Sequence, residues 1–493
     1  MKKSLLVILS IYLILNFVSI KSLYAQNATK SEFNCFSILV GKNASLDGSV
    51  MFAHNEDDAG DQLVNFYKVP RLKHEQGETI TTINGAVIPQ VAETNSFLWL
   101  EMPEMEFSDS YLNEWGVAIA SDACASRQEN SELKDGGITY WLRRLVAERA
   151  KSAKHGVKIA GQLIEEFGYG SSGRTYVIAD RNEGWLLAAV FGKHWVAQRV
   201  PDDHVAVLPN YYTIGEIDLS DTTNFLGAAD LIEYATKNNW YNPAHDGKFH
   251  FARAYSDTNN LKSKGNIHRM WRGINLIAGK NFAINDCFPF SLKPEKKISL
   301  PDLMSVLRDH YEGTELDNSQ HYSQGNPYQL NHSTICAGST QYGFIAQLRH
   351  WLPVDIGAVL WLAPRRPDAQ AFMPWYFGMN KLPEGFCYDD WQSALTHHFE
   401  PPASYYDQAE THAFWTYVHL AQWVDEDYAE RIQLVRQGWE KLENQTLTNQ
   451  QHFEKKVIYL YQENPQAAKN ILTVYSNELI EETVKRAKNF SKE

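Results

Sequence analysis

Residues 34–58 read NCFSILVGKNASLDGSVMFAHNEDD, and this stretch indicates the fold. Two apolar runs, 36–41 and 50–53, flank a polar segment in which Asp47-Gly48 is a strong turn signal. The pattern predicts a β-hairpin whose first strand opens with Cys35. A lone cysteine on an apolar strand is most often a buried structural residue, but it is also a potential nucleophile.

The residues before this hairpin are typical of a secretory signal peptide. A basic start, Met1-Lys2-Lys3, precedes an almost wholly apolar run over residues 4–20, and Ala25 is the small residue expected before a cleavage point. We therefore expect residues 1–25 to be removed, residues 26–34 to form a pro-segment, and the protein to be exported to the periplasm or the extracellular space. The alternative is an uncleaved membrane anchor, although a span needs about 20 apolar residues and this run is barely long enough.

The composition limits the class of partner. The chain has 493 residues, 44% of them hydrophobic, and a formal net charge of −13. An acidic surface without a Lys/Arg cluster repels nucleic acid and anionic lipid. We expect a globular protein with a large core, small-molecule partners, no nucleic acid and no membrane contact after signal removal. The oligomeric state, including a homo-oligomer, stays open.

The cysteines and histidines predict neither a metal nor another cofactor. The histidines lack HExxH-type spacing, and no pair of cysteines has the spacing of a zinc site. An exported protein can form disulfides, but an odd number of cysteines leaves at least one thiol unpaired. Cys35 is the candidate for that thiol. The five cysteines are Cys35, Cys124, Cys287, Cys336 and Cys387.

The order of predicted elements favours an α+β layered architecture over regular βαβ units. Strands come first, helices interrupt them, strands return, and the pattern is helical from about residue 404. The predicted strands after the hairpin are 97–102, 116–121, 175–180, 184–191, 194–200, 204–208, 340–349 and 356–363. The predicted helices before residue 404 are 140–150, 158–168, 227–236 and 301–313.

A cysteine at this position gains reactivity if it becomes the first residue of the chain. A free thiol titrates near ~8.5 and needs help to ionise at neutral pH. Cleavage before Cys35 would expose its own α-amino group, which titrates near ~8 and is partly unprotonated. That amine can accept the thiol proton and later protonate the leaving amine.

The sequence that starts at Cys35 resembles the dipeptidase A/secernin family of cysteine peptidases, which are N-terminal nucleophile hydrolases. The opening resemblance lies in SILVGK, ASLDGS and AHNEDD, and it continues through NEWGVAIASDA (113–123), GKHWVAQRVPDD (192–203) and STICAGSTQYGFIAQLR (333–349). It implies a four-layer αββα sandwich over residues 35–400 with a helical extension over 401–493. It also implies a dipeptidase that cleaves short peptides through a thioester acyl-enzyme without a cofactor, and whether autoprocessing removes the pro-segment stays open.

The hairpin is more distantly similar to that of bile salt hydrolases and penicillin V acylases. This similarity implies that Asp57 holds the α-amino group and the thiol, and that Asn55 braces the end of the strand. His54 stands where those groups carry arginine. A histidine titrates near ~6.5 when unperturbed, so we expect activity to fall as pH rises through the pKa of His54. The alternative for this polar segment is a solvated turn or a cation site.

The same similarity implies donors for the oxyanion of the transition state. Asn210 stands at the position of an asparagine amide in the distant relatives, and a backbone N–H near Asp122-Ala123 would be the second donor. Arg269 and Arg272 are candidates for binding a substrate carboxylate with two hydrogen bonds. The alternatives are ordinary turn chemistry for Asn210 and structural ion pairs for the two arginines.

Two other functions remain alternatives to the dipeptidase. One is hydrolysis of a different amide within the same fold, such as a bile-salt-like or penicillin-V-like acyl-amide, which the histidine at position 54 keeps under consideration. The other is a non-hydrolytic, secernin-like binding protein. Turnover of dipeptides beside acyl-amides distinguishes all three.

Overall fold

The computed structural model describes residues 34–58, 60–127, 133–330 and 333–490. The predicted signal peptide, and all of the predicted pro-segment except Asn34, lie outside the described residues.

Two antiparallel sheets form the middle of the fold. The strands, in chain order, are β1 (Phe36–Val40), β2 (Val50–Asp57), β3 (Asn65–Val69), β4 (Leu72–Lys73), β5 (Thr79–Thr81), β6 (Val87–Pro89), β7 (Glu93–Thr94), β8 (Phe97–Glu101), β9 (Ser110–Asn113), β10 (Ala118–Ala123), β11 (Arg174–Ala179), β12 (Gly184–Ala189), β13 (Trp195–Val200), β14 (Val205–Leu208), β15 (Phe225–Gly227), β16 (Thr340–Leu348), β17 (Ala358–Pro364) and β18 (Met373–Tyr376). One sheet has six strands in the order β14-β1-β2-β16-β17-β18, and the other has eight in the order β15-β13-β12-β11-β10-β9-β8-β3. Two short ribbons, β4-β7 and β5-β6, lie outside these sheets.

Helices occupy the segments between the strands and most of the chain after β18. The α-helices are α1 (Trp141–Arg149), α2 (Ala153–Phe167), α3 (Leu231–Lys237), α4 (Phe251–Tyr255), α5 (Thr258–Leu261), α6 (Lys264–Ala278), α7 (Leu300–Leu307), α8 (Pro327–Leu330), α9 (Val354–Gly357), α10 (Trp391–His397), α11 (Ala413–Glu426), α12 (Tyr428–Glu463) and α13 (Pro465–Phe490). Two 3₁₀ turns cover Gln320–Tyr322 and Ala403–Tyr406. Along the described parts of the chain, no helix combines the length and the apolar character needed to cross a membrane.

The predicted hairpin forms the centre of the six-stranded sheet. Gly48 has a φ of 87°, a conformation that glycine adopts without steric cost, and the Asp47 carboxylate accepts hydrogen bonds from the Ser49 backbone N–H at 3.0 Å and from its hydroxyl at 2.6 Å. This turn fixes the register in which Phe36 faces Asn55. The residue before β1, Cys35, is therefore placed beside the carboxyl end of β2.

Successive side chains of β1 face different layers of the fold. Phe36 packs on α6, where a Cβ added to Gly273 would lie 2.5 Å from the Phe36 ring. Ser37 points the opposite way and bonds Asp122 of the eight-stranded sheet. The far face of that sheet is covered by α1 and α2, which share a core with Trp195. The layers run helix, six-stranded sheet, eight-stranded sheet, helix, so the predicted four-layer αββα arrangement is confirmed.

The C-terminal helices share a core with the six-stranded sheet. Arg349, which follows β16, makes a buried two-point ion pair with Glu454 of α12 at 2.6 and 2.8 Å. Glu443 of the same helix accepts a hydrogen bond from the Phe372 backbone N–H at 2.8 Å. The described residues from Asn34 to the end of α13 belong to one compact unit.

The order of elements follows the sequence prediction, with differences at particular boundaries. The hairpin, the strands through residue 208 and the helical C-terminus are confirmed. The helix predicted over 301–313 is shorter, because a capping box between Ser299 and Asp302 starts α7 and helical geometry ends before Tyr311, whose φ is 71°. The strands β3 to β7, β9, β15 and β18 were not predicted, because with two to five residues each they are too short to give a clear apolar or alternating run.

Candidate active site

Cys35 lies immediately before β1 and is fully buried. Its thiol donates to the Glu56 carboxyl, with Sγ 3.4 Å from Oε1, and lies 3.6 Å from the Asp57 backbone oxygen. Burial raises the pKa of this thiol, and the negative charges of Glu56, Asp122 and Asp57 raise it further. The resting thiol is therefore neutral, and a reaction at sulfur requires a group that takes its proton.

Arg269 of α6 holds the backbone on both sides of the Asn34–Cys35 bond. Its Nη1 donates to the carbonyl of Asn34 at 2.6 Å and to the carbonyl of Cys35 at 2.8 Å. Its Nη2 donates to the side-chain oxygens of Asn210 at 3.0 Å and Asn266 at 2.7 Å. The predicted role in binding a substrate carboxylate would require Arg269 to release some of these contacts.

Asn210, two residues after β14, offers an unused donor. Its side-chain oxygen accepts from Arg269, while its backbone carbonyl accepts from the amides of Asn260 at 2.9 Å and Asn266 at 3.0 Å. The Asn210 Nδ2 is buried and has no hydrogen-bond partner among the described residues. A fixed amide with a free N–H₂ group matches the requirement for an oxyanion donor.

Asn55 holds the end of β2, and Asp57 is the last residue of that strand. The Asn55 amide donates to the carbonyls of Leu307 and Ile335, both at 2.9 Å, and so ties the end of β2 to two other segments. Burial raises the pKa of Asp57 to about 7, against the lowering effect of the nearby Thr340 hydroxyl. Neither Asp57 carboxylate oxygen receives a well-aligned hydrogen bond from the described chain. Asp57 therefore has the capacity to accept hydrogen bonds from an additional donor.

His54 is fully buried between two polar side chains. Its Nδ1 lies 2.8 Å from the Ser37 hydroxyl, and its Nε2 lies 3.0 Å from the Glu56 carboxyl. Burial lowers the pKa of His54 to about 4, and the positive charges of Arg143 and Arg174 act in the same direction. The expectation that His54 titrates near neutral pH is corrected: the ring is neutral throughout the physiological range, because desolvation disfavours the imidazolium.

The other predicted substrate-binding residues are placed less directly. Asp122 and Ala123 are the last two residues of β10, and the Asp122 carboxylate accepts from the Ser37 hydroxyl at 2.7 Å. The second oxyanion donor near these residues stays a prediction. Arg272 makes a two-point ion pair with Asp309 at 2.8 and 2.5 Å, so a role in substrate binding would require that pair to break.

Sequence reasoning missed Ser37 and Glu56, which join the predicted residues in one buried cluster. The signal was the two-residue period of the hairpin: in paired strands Ser37, His54 and Glu56 project from the same face as Cys35. It also missed Arg143 of α1 and Arg174 of β11, whose positive charges lower the pKa of Glu56. These two lie far from the hairpin in sequence, so no local pattern points to them.

All five cysteines are among the residues that the structure describes, and there each has a free thiol. One of them, Cys336, lies with His310 and Asp368 so that potential metal-ligand atoms are within 4.8 Å of one another. The Tyr328 hydroxyl already hydrogen-bonds both His310 and Asp368, and the Arg366 guanidinium stacks 4.2 Å from the centre of the Tyr328 ring. The positive charge of Arg366 disfavours a metal cation at the same place. The geometry therefore favours a hydrogen-bonded network of Tyr328, His310 and Asp368.

Comparison with protein-family models gives one match over most of the chain. Residues 34–441 match the model described as peptidase family C69. The match includes Cys35 and the buried side chains hydrogen-bonded in series from it, which are Glu56, His54, Ser37 and Asp122.

Individual relatives are more distant. A probable dipeptidase of Salmonella dublin is 28% identical over 365 residues, which cover 71% of this chain and 82% of that protein. A probable dipeptidase B of Streptococcus pyogenes serotype M1 is 23% identical over 481 residues, which cover 92% of this chain and 91% of that protein. Among solved structures, penicillin V acylase from Agrobacterium tumefaciens matches 70% of this chain and 86% of its own, with 11% identity and a TM-score of 0.38.

Proposed function

The chain belongs to peptidase family C69, and we propose that it is a cysteine dipeptidase whose mature form begins at Cys35. Its relatives in Salmonella dublin and Streptococcus pyogenes bear the name probable dipeptidase. The observation that carries the proposal is the arrangement around one thiol. Cys35 lies beside the Asp57 carboxylate, whose oxygens receive no well-aligned hydrogen bond from the described residues. Arg269 links the Cys35 backbone to Asn210, whose side-chain N–H₂ group has no partner among those residues.

The free α-amino group of Cys35 supplies the base in the proposed mechanism. Once the Asn34–Cys35 bond is cut, this amine titrates near ~8 and takes the thiol proton. The two buried Asp57 oxygens, which receive no well-aligned hydrogen bond within the described part of the chain, hold the amine close to the sulfur. The same amine then protonates the leaving amine of the substrate, so the proton returns to solution with the product.

Asn210 stabilises the charge that forms during acyl transfer. Attack of sulfur on the peptide carbonyl places a negative charge on its oxygen, which the Asn210 N–H₂ group receives. Collapse of this intermediate gives a thioester on Cys35 and frees the carboxyl-terminal amino acid. Water then attacks the thioester, releases the amino-terminal amino acid and restores the thiol. Arg269 keeps Asn210 oriented through these steps by its hydrogen bond to Oδ1.

The proposal includes export and processing. Removal of residues 1–25 as a signal peptide would deliver the protein to the periplasm or the extracellular space. Removal of residues 26–34 would then expose the Cys35 amine. The negative net charge of −13 suits small-peptide substrates rather than nucleic acid or anionic lipid.

Turnover of a substrate panel tests the proposed function. We expect the processed enzyme to hydrolyse unmodified dipeptides and to release two free amino acids. N-acyl amino acids and bile-salt-like amides should be hydrolysed on the order of 10²-fold less efficiently in kcat/KM, because they lack the substrate's free amine. Preferred turnover of an acyl-amide would replace the dipeptidase with an acyl-amide hydrolase. Failure to turn over any amide would favour a binding protein.

A further inference from the structure

A continuous chain of buried hydrogen bonds leads from the thiol to the facing sheet. Cys35 Sγ donates to Glu56 Oε1 at 3.4 Å, and Glu56 Oε2 lies 3.0 Å from His54 Nε2. His54 Nδ1 lies 2.8 Å from the Ser37 hydroxyl, which donates to Asp122 Oδ2 at 2.7 Å. All five side chains are buried, so the chain runs through the protein without reaching solvent.

The partners of each atom determine where the hydrogens lie. A serine hydroxyl has one hydrogen, and Ser37 gives it to Asp122, so Ser37 accepts from His54 Nδ1–H. His54 is neutral, since burial lowers its pKa to about 4, and its Nε2 is therefore an acceptor. The hydrogen bond between His54 Nε2 and Glu56 Oε2 therefore requires the Glu56 carboxyl to carry a proton on Oε2. Burial raises the pKa of Glu56 to about 8, which agrees with a protonated carboxyl at neutral pH.

We propose that Glu56 is the proton acceptor of the Cys35 thiol while the Asn34–Cys35 bond is intact, and that His54, Ser37 and Asp122 carry the proton away from it. The inference rests on the proposed function, because it concerns the step that creates the mature N-terminus. Glu56 contacts the reacting sulfur and is a catalytic residue of that step. His54, Ser37 and Asp122 act through it.

The uncut chain needs such a group because its own amine is absent. The Cys35 nitrogen is part of the amide bond to Asn34, and an amide nitrogen does not take a proton at neutral pH. Among the described residues, the side chain hydrogen-bonded to Sγ is that of Glu56. The Asn34 carbonyl is meanwhile held by the Arg269 guanidinium at 2.6 Å, which polarises it for attack.

The cleavage step balances within these groups. The S–H bond of Cys35 breaks, and its proton bonds to Glu56 Oε1 while the proton on Glu56 Oε2 moves to His54 Nε2. The proton on His54 Nδ1 then moves to the Ser37 oxygen, and the Ser37 hydroxyl proton moves to the Asp122 carboxylate. Sulfur bonds to the Asn34 carbonyl carbon, and the carbonyl electron pair moves to oxygen beside Arg269. The C–N bond then breaks, and the nitrogen leaves as the α-amine of Cys35 after the proton returns to it. Water hydrolyses the resulting thioester, which gives the Asn34 carboxylate and restores the thiol.

This chain also gives a physical reason for histidine at position 54. The relay requires an acceptor toward Glu56 and a donor toward Ser37, and the two nitrogens of a neutral imidazole supply one of each. An arginine side chain only donates. The His54→Arg substitution would therefore interrupt the relay at its midpoint.

The protonation states of Glu56 and Asp122 set the pH dependence of self-cleavage. Burial raises the pKa of Asp122 to about 7 and that of Glu56 to about 8. The relay starts with a protonated Glu56 and ends on Asp122, so it requires Asp122 to be deprotonated while Glu56 still carries its proton. We therefore expect self-cleavage to accelerate as pH rises through about 7, where Asp122 loses its proton. Apart from each other, the titratable or charged groups that influence Glu56 or Asp122 are Cys35, His54, Asp57, Asp58, Cys124, Arg143, Arg174 and Tyr342.

The test follows cleavage of the full chain by intact mass. The uncut chain is purified at acidic pH, shifted to a series of pH values, and assayed for the product that begins at Cys35. Glu56→Gln keeps the shape of the side chain and removes its capacity to take a proton. We expect it to cleave on the order of 10²-fold more slowly than wild type and to lose the rise near pH 7 that depends on Asp122.

Two serine variants give matched comparisons. Ser37→Ala breaks the relay beyond His54 and should slow cleavage and flatten its pH profile. Ser110→Ala also removes a buried hydroxyl, but that hydroxyl bonds Tyr342 at 2.9 Å and lies outside the relay, so cleavage should match wild type. If the melting temperature shows that Glu56→Gln does not fold, the pH profile of cleavage in Ser37→Ala decides whether the relay operates.

The outcomes separate this inference from the proposed function. Wild-type cleavage together with an unchanged rate and pH profile in Glu56→Gln would overturn the relay and leave the dipeptidase intact. An unchanged profile in Ser37→Ala would overturn it where Glu56→Gln does not fold. A wild-type chain that keeps the Asn34–Cys35 bond under all conditions overturns the relay, and if that chain also hydrolyses no amide, the proposed function fails with it.

Discussion

Cys35→Ala abolishes dipeptide hydrolysis and leaves the Asn34–Cys35 bond uncut. The substitution removes the sulfur that would form both the processing thioester and the acyl-enzyme. Loss of a nucleophile lowers kcat by about 10⁶-fold in a well-studied hydrolase, and we expect a loss of that order here. Alanine fits a buried site that held a cysteine, so the fold should persist. The measurement is kcat/KM for a good dipeptide, with the intact mass of the same preparation.

Cys336→Ser is the matched control for this prediction. Cys336 is also fully buried with a free thiol, and burial raises its pKa as well, but it lies beside Tyr328 and Asp368 rather than at the start of β1. The serine variant should lose stability and keep its activity. Dipeptide turnover at the wild-type rate by Cys35→Ala would show that the thiol at the start of β1 is not the nucleophile.

Asn210→Ala gives the second large effect, a fall of about 10²–10³-fold in kcat with KM little changed. The side chain is fixed by Arg269 at 3.0 Å and leaves one buried N–H₂ group without a partner among the described residues. A donor used only when charge develops on the substrate oxygen contributes to the transition state more than to substrate binding. Steady-state kinetics with one dipeptide separate the two parameters.

Two further variants refine the test of Asn210. Asn210→Asp keeps the size of the side chain but loses the donor, so it should be as impaired as Asn210→Ala. Asn275→Ala removes an asparagine whose amide bonds the Phe282 backbone at 3.0 Å, and it should change stability without changing kcat. An Asn210→Asp enzyme with normal kcat would exclude the oxyanion role.

Local patterns predicted the hairpin well because its signals are local. The turn at Asp47-Gly48 and the apolar runs on either side determine strand positions and register, and these in turn place Cys35 beside the end of β2. The short strand β9 was missed for the opposite reason. Its residues, Ser110–Asn113, are as buried as those of an apolar strand, but their polar groups are satisfied by distant partners that the sequence does not reveal.

The candidate site could be predicted only in part, because local sequence names some of its residues while distant contacts determine their environment. Residues of the hairpin and Asn210 could be named from sequence resemblance. The environment of His54 could not, because its lowered pKa depends on complete burial between the two sheets and on Arg143 and Arg174. The role of Glu56 follows only when strand pairing places it opposite Cys35.

The N-terminus of the active enzyme tests the central claim most directly. The mechanism requires a free α-amine on Cys35, because that group is the base for peptide hydrolysis. Purified enzyme that turns over dipeptides should give Cys-Phe-Ser-Ile as its N-terminal sequence, with an intact mass to match. A fully active preparation that still carries Asn34 joined to Cys35 would contradict the account.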